Sequence, residues 1–145
     1  MMQRLWIGVL ATLGAATAGA QAPNVHGSVI EHDSTVATEE PGTHGGGGMS
    51  TGYSFFKGAP GLTMVFRKRA LHPGAGIGYH EQKEDEIYYV LSGRGEFTLD
   101  GEKREVGPGT AMLTRPGSSH AIRTLGDRDL VLLIAYQTQP KAPKP

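Results

Sequence analysis

His80 and Gln82 stand two residues apart, Glu86 follows the short polar run Lys83-Glu84-Asp85, and His120 lies much further along the chain. Imidazole nitrogens, a carboxylate oxygen and an amide oxygen are the donors from which nitrogen- and oxygen-ligated cation sites are built. A set of two histidines, one carboxylate and one amide suits Fe(II), Mn(II), Ni(II) or Zn(II), and residue type does not choose among them. The sequence contains no cysteine. There is therefore no thiolate site and no disulfide framework, and a metal must be held by nitrogen and oxygen. Glu86 adds an energetic argument, because a carboxylate in an apolar interior is costly unless it is paired or bound to a cation.

For these residues to meet, the chain must bring separate strands together. Leu62 to Leu71, Ile77 to Gln82, Glu86 to Leu91, Glu96 to Leu99, Thr110 to Thr114, His120 to Thr124 and Leu130 to Tyr136 all read as strands. Turn residues punctuate them: Gly74-Ala75-Gly76, Ser92-Gly93-Arg94-Gly95, Asp100-Gly101, Gly107-Pro108-Gly109, Arg115-Pro116-Gly117 and Gly126-Asp127. Asp-Gly between alternating segments is a strong hairpin signal. No segment carries a useful 3.6-residue period, so the expected fold is all-β, a sandwich or closed barrel. His80 and Gln82, two apart on one strand, leave the same face. Tyr88 and Val90 share the face of Glu86, and Ile122 and Thr124 share that of His120.

The 145 residues suit one domain, and 22 glycines with 9 prolines suit many short strands. Lysine plus arginine and aspartate plus glutamate balance at 14 each, leaving no basic excess for nucleic acid. Residues 1–20 carry Arg4, an apolar run from Leu5 to Leu13 and Ala18-Gly19-Ala20. That is the pattern of a signal peptide cleaved after Ala20, too short to span a membrane. The mature protein is then periplasmic or secreted, with no membrane attachment. Residues 21–59 read as an N-terminal arm with a glycine-rich loop, residues 60–138 as the barrel, and 139–145 as a disordered Pro/Lys tail. Gly45 to Gly48 reads as a linker on composition, with a loop folded over a site as the other reading. His26, His32, His44 and His72 lie outside the ligand pattern as surface or loop histidines, and His44 is the one to watch.

Gly74 through Gly93 resembles the first motif of the cupin superfamily, G-x5-H-x-H-x3-E-x6-G, with Gly74, His80, Glu86 and Gly93 in place. Gly109 through His120 resembles the second, G-x5-P-x-G-x2-H-x3-N, with Gly109, Gly117 and His120 in place. Arg115 stands at the proline position, with Pro116 one step along, and Thr124 stands at that of the asparagine. The resemblance covers about residues 60 to 136. It implies a double-stranded β-helix, the jelly-roll cupin barrel, holding one divalent metal ion on His80, Gln82, Glu86 and His120. Gln82 departs from the usual second histidine. An amide oxygen is a weaker donor than imidazole, which lowers metal affinity and favours polarising an oxygen over redox cycling.

Tyr88 is the candidate catalytic residue, a proton donor lining the barrel beside the ion, or else a packed aromatic with its hydroxyl at the rim. One of Arg67 and Arg69 is a candidate for holding a carboxylate in the barrel, against the commoner solvated arginine. Ile87, Tyr89 and Leu91 make the second face of their strand apolar, and the resemblance implies a homodimer as its cover. The functional expectation is a metal-dependent enzyme on a small oxygenated molecule, a sugar, sugar acid or hydroxy/keto acid, by Lewis-acid isomerase or lyase chemistry. An Fe(II) dioxygenase and a non-enzymatic small-ligand-binding module are the alternatives, and a storage role is a third.

Overall fold

Inward–outward alternation along most of the strands builds two facing sheets. The computed structural model describes residues 27–138; the proposed leader, His26 and the Pro/Lys tail lie outside the described residues. In chain order the elements are α1 (Asp33–Val36), β1 (Ala37–Pro41), a 3-10 turn (Thr43–Gly45), β2 (Met49–Phe55), β3 (Met64–Leu71), β4 (Gly76–Glu81), β5 (Glu86–Ser92), β6 (Arg94–Leu99), β7 (Glu102–Val106), β8 (Ala111–Thr114), β9 (Ser119–Leu125) and β10 (Leu130–Gln137). One sheet has six strands in the order β1-β2-β3-β10-β5-β8, the other four in the order β4-β9-β6-β7. All pairs are antiparallel, so the expected all-β jelly roll is the observed fold.

The inner faces are filled by alternate residues. Tyr88 and Val90 of β5, Met112 of β8, Ile122 of β9 and Leu130, Leu132 and Ile134 of β10 form the core with Leu71, Ile77 and Phe97. Leu71, Val90, Leu130 and Leu132 are wholly buried, each contributing about 1.5–3 kcal/mol of apolar transfer. On the outer face of the larger sheet, Ile87, Tyr89, Leu91 and Leu113 are each between 41% and 49% exposed, an apolar patch where an antiparallel sheet usually turns polar residues to water. The Asp100-Gly101 turn closes the β6–β7 hairpin with both residues at positive φ, 48° and 89°, as a type I′ turn requires.

Ala37–Pro41 and Met49–Phe55, within the segment read as an N-terminal arm, are strands of the larger sheet. β1 and β2 extend the six-stranded sheet beyond β3 in continuous register, from Ala37↔Tyr53 to Pro41↔Met49 and from Ser50↔Leu71 to Phe55↔Phe66. Charge binds this segment down: Lys68 pairs with Asp33, and Arg69 with Glu40. Composition points to a linker because the segment is polar and glycine-rich; ion pairs and backbone packing, which composition does not reveal, order it instead. The Gly45–Gly48 run is likewise no free linker. Gly42 N–H donates to the Gly48 carbonyl and Gly76 N–H to that of Gly47, so the loop is cinched shut and hydrogen-bonded to the start of β4.

Candidate metal and acid site

His80 reaches the interior through a break in alternation. Along the β4–β9 ladder Ile77 faces Ile122 and His80 faces His120, three residues on β4 against two on β9. That bulge changes the phase of β4. Without it, inward Ile77 would send Tyr79 in and His80 out; instead Tyr79 is 55% exposed and His80 turns inward. The two imidazoles then meet edge to face, centroids 4.7 Å apart. Glu86, at the start of β5, completes the cluster: one ligand atom from each of His80, Glu86 and His120 lies within 4.8 Å of the others.

Hydrogen bonds orient these donors. His80 Nδ1 lies 2.8 Å from the Gly78 carbonyl oxygen, so Nδ1–H donates there and Nε2 is left as a lone pair. His120 Nδ1 lies 2.5 Å from Thr114 Oγ1. In the tautomer that metal ligation requires, with the ring proton on Nδ1 and donated to the threonine, His120 Nε2 also presents a lone pair. It faces Glu86 Oε2 at 3.2 Å, and both atoms are buried with no hydrogen-bond partner. A lone pair opposite a carboxylate oxygen is repulsive and costly in a dry interior. A cation between them relieves both, so the donor set fits a divalent ion. Gln82 is buried just beyond the end of β4, its backbone clasped by Ser118 and Gly117, and it lines the same cavity as His80 and Glu86.

The cavity holds about 280 Å³. Ile77 and Ile134 form apolar wall, and Arg67 and Arg69 enter from β3. The sequence reading asked for one arginine in the barrel; the structure brings two, with different partners. Arg69 is buried and neutralised, donating from Nη2 to Glu40 Oε1 at 2.5 Å and from Nη1 to Ser50 Oγ at 3.2 Å. Arg67 Nε is buried without a hydrogen-bond partner among the described residues. Tyr88 is buried, its ring 5.0 Å from that of His120. Burial, reinforced by the neighbouring Glu86 carboxylate, pushes the Tyr88 hydroxyl well above the ordinary phenol range. It therefore stays protonated near neutral pH and serves as a hydrogen-bond donor.

Two participants lie outside the ligand pattern read from the sequence, one of them the singled-out His44. Glu40, from β1, reaches across β2 to Arg69 over Gly52, where a methyl group would overlap its carboxylate. His44, from the glycine loop, stacks on His80 with centroids 3.6 Å apart and planes within 3°. Burial, then the nearby His80, lowers its pKa, so it is neutral at pH 7. The available signal for His44 was the glycine pattern on both partners: a methyl at Gly78 would overlap the His44 carbonyl, and one at Gly46 that of Gly76. His32 caps the first turn of α1, and His72 pairs with Glu39 and Asp129 away from the cavity.

Comparison with known proteins agrees with this architecture. The cupin domain family model matches residues 68–136. An oxalate-binding protein of Thermotoga maritima is 37% identical over 70 residues, covering 48% of this chain and 58% of that protein. A dimethylsulfoniopropionate lyase of Ruegeria pomeroyi is 31% identical over 84 residues, covering 56% of this chain and 41% of the lyase. Both matches span less than two thirds of the relative's own length. A crystal structure from Thermotoga maritima, described as a predicted oxalate decarboxylase, superposes with a TM-score of 0.69 at 28% identity, covering 77% of this chain and all of that one. With two facing antiparallel sheets, both motif histidines meeting across β4 and β9, and a matching family model over the barrel, the chain belongs to the cupin superfamily.

Proposed function

We propose that the protein holds one divalent cation on His80, Glu86 and His120, with the Gln82 amide as a fourth donor, and takes a small carboxylic acid into the same cavity. One observation carries the reading. The buried side-chain atoms without a hydrogen-bond partner among the described residues are Arg67 Nε, Glu86 Oε2 and His120 Nε2. Arg67 and Glu86 line one cavity, and His120 faces Glu86. A cation satisfies two of these atoms, and an acid bound beside it satisfies the third. The cavity volume of about 280 Å³ leaves room for a small acid beside the ion.

The bound ion would supply Lewis-acid polarisation of a substrate oxygen. The chain's own residues supply the rest. Arg67 orients the carboxylate, and Ile77 and Ile134 exclude water. The Tyr88 hydroxyl donates a hydrogen bond to charge developing on substrate oxygen. This arrangement favours lyase-type chemistry on an acid. A non-catalytic binding module is the second reading, favoured by the likeness to an oxalate-binding protein. We place the protein outside the cytoplasm on the strength of its N-terminal run, and a second copy on the outer face of β5 and β8.

The test is calorimetric titration of chelator-treated protein with Mn(II), Zn(II), Fe(II) and Ni(II), then with oxalate and other small mono- and dicarboxylic acids. One ion per chain is expected, with acid binding that needs the ion and is lost in Arg67→Met. Product formation then selects the enzyme, and ligand-induced stabilisation without product selects the binding module. Failure of the wild-type protein to bind any of the four metals would sink the reading.

A further inference from the structure

His44 has no part in the donor set described above, yet the fold commits much to placing it. The loop from Gly42 to Gly48 is closed by its own hydrogen bond and joined to β4 by another. Its contact with β4 is backbone against backbone. Methyl groups at Gly42, Gly46, Gly48 or Gly78 would each overlap atoms across this seam. Glycine is thus required on both sides of one junction. Within it His44 adopts a positive φ of 52°, a left-handed conformation that is uncommon for a non-glycine residue and clusters at functional sites. The product of this conformation is one contact, the flat stacking of His44 on His80.

The geometry also says what His44 does not do. A metal ion lies in the plane of an imidazole that ligates it, along the nitrogen lone pair. Two rings within 3° of parallel, with centroids 3.6 Å apart, have no common in-plane point for an ion. His44 therefore acts through His80. The Nδ1–H bond to the Gly78 carbonyl fixes one end of the His80 ring but leaves it free to tilt about that bond. A second plane pressed against its face removes that freedom. His120 meets the same ring at 90°, centroids 4.7 Å apart, so the His80 ring has an imidazole neighbour in each of two orientations.

We infer that His44 is a positioning residue for the metal centre: carried on the glycine loop, it holds the His80 imidazole at the angle that ligation requires and shields that ligand's exposed face. This rests on the metal reading of the His80, Glu86 and His120 cluster. The need is greater here than with a stronger donor set, because Gln82 contributes an amide oxygen.

The experiment uses Co(II) alone as the probe, whose visible absorption reports coordination geometry, and affinity measured by chelator competition. His44→Ala and His44→Gln both remove the aromatic face, and whichever folds decides; His44→Phe keeps the face and removes both nitrogens. The alanine or glutamine variant is expected to bind Co(II) roughly tenfold more weakly, with a shifted and broadened visible band, in line with losing a support to a metal ligand. His44→Phe is expected to stay within about threefold of wild type with the wild-type band, because stacking needs only the ring. Wild-type affinity and an unchanged band in the alanine or glutamine variant overturn the inference and leave the metal reading standing. A phenylalanine variant as weak as the alanine one also overturns it, since the nitrogens of His44 would then matter. Wild-type protein that binds no Co(II) refutes the metal reading itself, and this inference falls with it.

Discussion

Consider Glu86→Gln. The Glu86 side chain is 7% exposed, and its Oε2 faces His120 Nε2 at 3.2 Å without a hydrogen bond among the described residues. Leaving a buried charged group uncompensated costs several kcal/mol. Glutamine has the same shape and no charge, and its amide N–H can donate to His120 Nε2. Replacing an unmet acceptor by a made hydrogen bond should stabilise the metal-free protein by about 1–3 kcal/mol. For a domain of this size each kcal/mol moves Tm by about 3–4 °C, so a rise of about 3–12 °C is expected. Metal reverses the order. At a thousandfold excess over Kd, an ion that binds only the folded state adds about 4 kcal/mol to the wild type and almost nothing to a variant that has lost the carboxylate. The two melting curves must therefore cross when Mn(II) or Zn(II) is added. Thermal melts of chelator-dialysed protein, with and without each ion, read this directly. If Glu86→Gln is less stable than wild type without metal, or gains the full wild-type shift with it, the carboxylate is an ordinary structural group and the reasoning fails.

Three further outcomes follow from the same physics. Glu40→Ala leaves the buried Arg69 guanidinium short of its carboxylate and should cost about 1–3 kcal/mol in urea unfolding; Gly52→Ala pushes on that carboxylate and should act in the same direction, the double variant losing less than the sum of the two. The pKa of His72 is raised, by its hydrogen bond to Asp129 first and to Glu39 next, so its contribution to stability is complete below about pH 6.5 and is lost as pH rises through the raised value. The pKa of Glu39 is lowered, chiefly by Thr51 and then by His72, so its contribution is lost instead as acid brings the pH down through the lowered value. His72→Asn should flatten the fall in Tm between pH 6.5 and 9, and an unchanged slope there would show the pair to be idle. Ile87→Glu on the exposed apolar face should turn a wild-type dimer into a monomer in sedimentation equilibrium, and a monomeric wild type would remove the assembly from consideration.

How much of this was legible in the sequence depends on the range of the forces involved. Turn residues and alternation act locally, and they locate every strand from Met64 to Gln137 within a few residues, except β7. β7 is an edge strand with charged residues on both faces, four of its five residues exposed, so it shows no apolar alternation to read. The inward set on β5, Glu86 with Tyr88 and Val90, follows from parity alone. For His80 parity counted from Ile77 gives the wrong face, and the bulge between them rescues it; only the match to a known spacing could anticipate that.

The placements outside the ligand pattern, those of Glu40 and His44, share one physical cause: each is set by what its neighbours lack. Gly52 has no side chain, so the Glu40 carboxylate can cross β2 and neutralise Arg69, which leaves Arg67 as the arginine with an unmet nitrogen. Gly78 has no side chain, so the loop can lie against β4 and set His44 on His80. Composition reads these glycines as looseness, since the same missing Cβ that permits close backbone contact also raises the entropy of a free chain. What separates the cases is complementarity. Glycines at 42, 46 and 48 face glycines at 76 and 78 or the small Ala75, and a free linker has no reason to be matched by small residues elsewhere in the chain. The proposed ligands can be read because their donor atoms are present in the sequence; the parts that aim them are absences, which become visible only in pairs.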